Sequence, residues 1–493
     1  MVPHAPHEPG TRGRTSRRPA RVSVAGHSVT LVTTLQRRVL LVAILGSFVS
    51  FLDGTVVSVA LPAIARELGG PGAEGLALQQ WVVDAYLVTL GALMLVAGSV
   101  SDVYGRRRVL ATGLAGFAVA SVLCAVAPTG PVLVIARALQ GVAGALLVPS
   151  SLALIVATFS GEAQSRAIGR WTSWTTAAMI VGPFVGGLLV DLASWRWVFW
   201  INVPVIAVTL WLLRGIPAAD GEPGRRVDVP GAVLAAFGLA GVVFGLIEGD
   251  RLGWGSPGVL TSVLGGAVLL VAFVLYQRRA ADPMLPLRLF RARNFAWGNL
   301  ATTAIYGALS LGGFVLTLFL QQVAGYSATW SGLAQLPTTL AMIGLSAWFG
   351  TLAGRYGPRL FMTVGPLVAG AGFLLMLAID ETAFYPTQVL PGQLVFGLGL
   401  SITVAPLTAA ILGAVPAHDA GIGSAVNNAV ARVAGLVTVA FAGIITGGVL
   451  DVASFHRALL VTAGLLVLGG LLSLAGIRSP RGVDPDQALV KPT

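Results

Sequence analysis

Apolar residues along this chain fall into long, nearly uninterrupted blocks, separated by short breaks rich in Gly, Pro, Asp and Arg. Crossing a bilayer takes about 20 apolar residues as a helix rising 1.5 Å per residue. Fourteen blocks meet that length and predict helices over 39–62, 78–100, 109–127, 131–159, 169–190, 197–214, 230–248, 257–276, 295–322, 328–353, 360–379, 387–413, 421–449 and 457–477. An even count puts both termini on one side. Residues 1–36 are rich in Pro, Arg, Ser and Thr and read as a disordered basic tail. They are not a cleavable signal, because the apolar segment that follows is too long for one. Residues 479–493 read as a second tail.

Composition agrees with the pattern. Of 493 residues, 55% are hydrophobic and only 10% charged, where a soluble domain carries about 25% charged residues. With 63 glycines and a mean hydropathy of +0.84, the chain cannot cover a water-soluble surface. It reads as an all-α polytopic membrane protein. Its one lysine, Lys491, lies in the C-terminal tail, so it has no phosphate-binding loop lysine for ATP hydrolysis. Cys124 is the only cysteine, and it lies inside an apolar block. The five histidines (His4, His7, His27, His418 and His456) show no metal-ligand spacing. Neither a disulfide framework nor a metal site is expected.

The basic residues fix an expected orientation, since they accumulate on the cytoplasmic side. With the N-terminal tail inside, 25 of the 31 fall in the tails and the inner loops, the latter including 106–108 and 278–293. Four fall outside: Arg66, Arg196, Arg251 and Arg457. The net charge of +11 is therefore a signature of membrane orientation and not of nucleic-acid binding.

Only four charged residues lie deep within the blocks: Asp53, Asp84, Arg137 and Arg432. A charge at such depth costs several kcal/mol unless paired or wetted, so each is a functional candidate. Counting residues in from the block ends places Asp53, Asp84 and Arg137 at a similar level. Together they predict a protonatable cluster in which Arg137 holds one carboxylate ionised and the other takes up a proton. Arg432 shares a face with Asn428 on the thirteenth block, in the other half of the chain.

From about residue 35 to 478 the motifs resemble those of the major facilitator superfamily, and within it the fourteen-helix drug:proton antiporter family. LDGTVVSVALP at 52–62 is similar to the first-helix signature and places Asp53 at its acidic position. QWVVDAYLV at 80–88 is close to the second-helix pattern, with Asp84 at a variable position. GSVSDVYGRRRVL at 98–110 resembles the loop between helices 2 and 3 through Gly98, Asp102, Gly105, Arg106 and Arg107, departing from it at Val103. Arg137, Gln140, Gly141 and Gly144 match the fourth-helix motif, whose Arg the family implicates in proton transfer. Gly182, Pro183, Gly186 and Gly187 match the antiporter motif of the fifth helix. WRWVFWINVP at 195–204, LIEGDRLGW at 246–254, LQQVAGYSATWSGLAQLP at 320–337 and GSAVNNAVARVAG at 423–435 resemble further markers. GRYGPR at 354–359 echoes the 98–110 stretch, as expected of two repeated halves.

The resemblance implies a six-helix half over 37–214, two inserted helices with cytoplasmic linkers over 215–294, and a second six-helix half over 295–478. It implies a proton-coupled antiporter that exports drugs or natural products across the bacterial inner membrane by alternating access. Such a carrier is a monomer in contact with lipids, driven by the proton gradient without a cofactor. The alternative is an exporter of a lipid or endogenous metabolite. A polytopic enzyme is disfavoured, because the loops at 215–229 and 277–294 hold no catalytic constellation. Trp81, Tyr86, Trp171, Trp174, Tyr306 and Phe314, with Asn428 and Arg432, are the candidate lining of a cavity for a lipophilic substrate.

Overall fold

The computed structural model describes residues 34–70, 73–217, 227–416 and 419–479. The N-terminal tail up to residue 33, Arg225 and Arg226, His418, and residues 480–493 lie outside the described residues. All fourteen predicted segments are helical. They are α1 (Thr34–Leu68), α2 (Ala73–Tyr104), α3 (Arg106–Ala125), α4 (Gly130–Thr158) and α5 (Gly161–Leu192). Next come α6 (Trp197–Leu213), α7 (Val229–Leu252), α8 (Pro257–Gln277) and α9 (Arg293–Gln322). The last five are α10 (Ala328–Tyr356), α11 (Pro358–Ala378), α12 (Tyr385–Leu412), α13 (Gly421–Thr446) and α14 (Val452–Gly476). Thirteen are long and apolar enough to cross a bilayer. The exception is α6, which at 1.5 Å per residue reaches about 25 Å.

Several helices run past their apolar blocks, since polar residues near the bilayer surface can stay helical where the apolar signal ends. The stretch 98–110, expected as a loop, is helix on both sides of a single residue. That residue is Gly105, with φ 89°, a backbone conformation a side chain disfavours. Its counterpart Gly357, with φ 85°, makes the same corner between α10 and α11.

The two halves repeat more than this corner. Two residues past Gly105, Arg107 donates to the Leu213 carbonyl at the end of α6, 3.2 Å away. Two residues past Gly357, Arg359 donates to the Leu474 carbonyl near the end of α14 at 3.0 and 2.8 Å. At the start of each half, Arg38 reaches Gly215 O at 3.2 Å and Arg293 reaches Gly476 O at 2.9 Å. The last carbonyls of a helix have no intrahelical donor, and a cation there also meets the negative end of the helix dipole. Each half thus ties its last helix to its first and third with arginines.

The helices α7 and α8 pack on each other, and α7 stands beside α2. Gly238 lies against Leu270, and Gly241 against Gly266. Small residues allow the close approach that replaces a hydrophobic driving force in lipid.

Replacing Arg107 or Arg359 by Ala is expected to destabilise by about 0.3–1 kcal/mol each. The two effects should add, because the sites lie in different halves. Thermal unfolding of the detergent-solubilised single and double variants measures this.

Candidate functional site

The site grows from α4, where Arg137 and Gln140 stand one turn apart and so share a face. Arg137 Nη1 lies 2.6 Å from Asp53 Oδ2 of α1 and also donates to Gln140 Oε1 at 2.6 Å. Gln140 Nε2 donates to Asp53 Oδ1 at 2.9 Å and to Ser121 Oγ of α3 at 2.9 Å. From α6, Asn202 Nδ2 completes the set with a 3.0 Å bond to Asp53 Oδ1. The Arg137 Nε donates to the Val82 carbonyl of α2 at 2.9 Å, and its guanidinium lies 4.3 Å from the centre of the Tyr86 ring. All of these side chains are buried. The carboxylate is therefore matched by one cation and two amides, and five helices converge on it.

Asp53 and Arg137, placed at one depth by the sequence, meet in the structure, but Asp84 does not join them. Residues two apart on a helix do not face the same way. Val82 and Tyr86 both turn toward Arg137, so Asp84, midway between them, points elsewhere. It shares a face with Gln80, which donates to the Val439 and Ala440 carbonyls of α13 at 2.8 and 3.0 Å. Two turns further along, Gly91 sits against Val433 and Arg432 of α13. Asp84 is thus on the seam between the halves. It is 0% exposed, and neither carboxyl oxygen has a hydrogen-bond partner among the described residues.

The fifth-helix motif forms another part of that seam. Gly182 lies against Thr55 and Gly186 against Val56 of α1, while Pro183 touches Gly332 of α10. A Cβ on Gly187 would stand 2.5 Å from the Thr329 Cα of α10, so only glycine fits. One turn on, Asp191 accepts the backbone N–H groups of Ala328 and Thr329 at 3.1 and 2.9 Å, capping α10 from the other half. Gln321 Nε2 adds a 3.1 Å bond to Val59 O. These bonds and contacts join the halves at this end.

Other predicted residues serve structure. Asp102 pairs with Arg106 at 3.8 Å across the Gly105 corner, and Gly98 lies within the last turns of α2. At Gly141 a Cβ would meet the Tyr86 carbonyl, so α2 and α4 touch there. Several of the aromatic residues expected to line a cavity have partners in the packing instead. Trp81 turns to the inserted pair, donating to Glu248 Oε1 at 2.8 Å; its indole N–H needs a partner, and α7 offers a carboxylate. Tyr86 belongs to the Arg137 network, its hydroxyl 3.2 Å from Ser50 Oγ, and Phe314 is buried in the core. Trp171 is half-buried and donates to Ser47 Oγ at 3.0 Å, while Trp174 is 57% exposed. Tyr306 is half-buried, and Asn428 is exposed with its amide on the Ser424 carbonyl. Arg432 lies 5.8 Å from the Phe51 ring centre, across the seam.

Four site residues were missed in the sequence. Asn202 lies inside the WRWVFWINVP marker, which was the available signal. Ser121 and Asp191 are single polar residues with nothing around them in sequence to mark them. Glu248 lies in the LIEGDRLGW marker, which does not show that it faces Trp81.

Removing one partner of a buried pair leaves an unmatched charge, at about 3–5 kcal/mol. Asp53→Asn should therefore lower the thermal midpoint strongly, and Asp53→Asn combined with Arg137→Gln should recover part of the loss. A double variant as unstable as the sum of the singles would contradict the pairing.

The sequence profile of the Major Facilitator Superfamily matches residues 43–439. The puromycin resistance protein pur8 of Streptomyces alboniger is 36% identical over 420 residues, covering 83% of this chain and 81% of that protein. The methylenomycin A resistance protein of Bacillus subtilis is 34% identical, covering 83% and 87%. The tetracenomycin C resistance and export protein of Streptomyces glaucescens is 32% identical, covering 82% and 75%. Among solved structures, a D-xylose-proton symporter superposes with a TM-score of 0.64 at 17% identity, over 90% of this chain and 99% of that one. A POT family transporter in complex with a thioalcohol conjugated peptide reaches 0.65 at 12% identity, over 89% and 95%. These likenesses show a shared fold. The chain belongs to the major facilitator superfamily and is a multi-pass membrane transporter, not an enzyme.

Proposed function

We propose that this transporter exports drugs or natural products across the bacterial inner membrane in exchange for protons, as a monomer with both termini cytoplasmic and without a bound cofactor. The relatives named for resistance to puromycin, methylenomycin A and tetracenomycin C support the export reading. With that orientation, the Asp191 end of the seam faces outward.

The observation that carries proton coupling is the position of Asp84. A carboxylate charge buried without a partner at this depth costs several kcal/mol, whereas a neutral carboxyl does not. Closing α2 onto α13 therefore favours the protonated acid. Parting them lets water reach the side chain and favours the ion. Asp84 takes its proton from outside while the seam is open and carries it into the closed form. Losing it toward the cytoplasm, as substrate binds, tips the carrier outward again. Asp53 and Arg137 form the ionised companion that holds α1 and α4 in register.

Inside-out vesicles with an acid interior provide the test, using puromycin and tetracenomycin C as probes. Addition of an exported compound should release protons in wild-type vesicles and not in empty ones. Asp84→Asn should abolish pH-driven uptake while retaining substrate exchange without a gradient, because the neutral amide mimics the protonated acid. Full pH-driven uptake by Asp84→Asn would overturn the proton assignment. Gradient-independent uptake by the wild type would overturn antiport itself.

A further inference from the structure

Between the inserted helices and both halves lies a half-open apolar cavity of about 490 Å³ that the transport steps above do not use. That volume lies within the range of about 300–1,000 Å³ typical of ligand sites. Six helices each contribute to the wall, through Leu95 of α2, Leu239 of α7, Phe273 of α8, Ala304 of α9, Val430 of α13 and Leu468 of α14. The two hydroxyls of the lining, Thr303 and Thr438, are turned back onto helix carbonyls. The lining thus offers a guest hydrocarbon and no free polar handle.

One end of this cavity is a built structure. Met284, Leu285 and Phe290, from the segment linking α8 to α9, close it. Two buried polar side chains hold that segment. Asp228 Oδ2 accepts Gln277 Nε2 at 2.6 Å and the Met284 N–H at 3.1 Å, and Gln277 Oε1 accepts the Leu285 N–H at 3.0 Å. Arg288 then fastens the segment to the start of α13 through a two-bonded pair with Asp419, both bonds 2.7 Å. Exposed arginines flank the closing residues: Arg278 and Arg279 on one side and Arg291 on the other.

We propose that this cavity holds an acyl chain of an anionic phospholipid, with its headgroup at Arg279 and Arg291. The chain matches the hydrocarbon lining, against which it gains dispersion contacts along its length. The headgroup matches the exposed arginines that flank the closing residues in sequence, as basic residues at a membrane surface attract anionic lipid. Because α2 and α13 belong to opposite halves, the lipid also spans the moving seam, and the inserted pair forms its outer wall.

The test uses the full-length protein reconstituted in vesicles of phosphatidylcholine with or without phosphatidylglycerol, re-extracted and weighed by native mass spectrometry. Wild type should retain one phosphatidylglycerol per chain in preference to phosphatidylcholine. Ala235→Phe, which fills the cavity from α7, should lose it. Arg279→Gln with Arg291→Gln, both on the surface, should keep a bound lipid but lose the preference for phosphatidylglycerol. Equal retention of the two lipids by wild type, or undiminished retention by Ala235→Phe eluting as a folded monomer, overturns the proposal. If Ala235→Phe fails to fold, the arginine variant decides, and an unchanged headgroup preference there overturns the proposal.

Discussion

Bringing Arg137 into the bilayer requires a carboxylate beside it, and Asp53 meets that need at 2.6 Å. The remaining valences of the pair then dictate what surrounds it. Asp53 Oδ1 draws an amide from α4 and another from α6, Gln140 draws in a hydroxyl from α3, and Arg137 takes a backbone carbonyl from α2. In a medium without water each of these groups needs its partner. One ion pair thereby fixes the azimuth of most helices in the first half. It also fixes where Asp84 points, because the turn of α2 that offers Val82 and Tyr86 to Arg137 sends the residue between them to the opposite side.

The second half has the same corners and the same arginine ties, but a different centre. Arg432 faces an aromatic ring, 5.8 Å from the centre of Phe51. Polar contact inside that half is carried by neutral groups, with Asn427 bonding Asn299 and Thr302 at 3.2 and 2.9 Å. The repeat therefore builds a symmetric frame around chemistry that is concentrated in one half. A carrier needs both properties, a frame with two equivalent poses and a group that distinguishes them.

Much of the fold was legible because the bilayer leaves few options: an apolar block of about 20 residues becomes a helix. Residue depth was legible for the same reason, and it paired Asp53 with Arg137. Direction around the helix was not. Asp84 shares its level with the pair, yet which face of α2 meets α4 is decided by Gly141 and the Tyr86 carbonyl, which no count along the chain reveals. Trp81 illustrates the same limit, since its partner Glu248 is 167 residues away. At 98–110 arginines and an aspartate interrupt the apolar signal as a loop would, although only Gly105 leaves the helix.

The Asp191 end of the seam is held by few bonds. Among the described residues its hydrogen bonds include Asp191 on two backbone N–H groups, Gln321 on Val59, and Gln80 on two carbonyls of α13. A hydrogen bond contributes about 0.5–1.5 kcal/mol net, more when one group is charged. Glycine contacts along α5 add packing, but the opposite pose forms contacts of its own, so only the difference counts. Inverting a two-state population from 1:99 to 99:1 takes about 5.5 kcal/mol. An unmatched charge in the bilayer is worth several kcal/mol, which is the same order. In the proposed cycle a single buried carboxyl on α2 is therefore of the right order to bias the seam, provided that the other buried charges of the first half stay matched in both poses. Asp53 and Arg137, with every oxygen of the carboxylate bonded, meet that condition, and in the proposed cycle their matching leaves Asp84 as the group whose protonation sets the balance between the two ends.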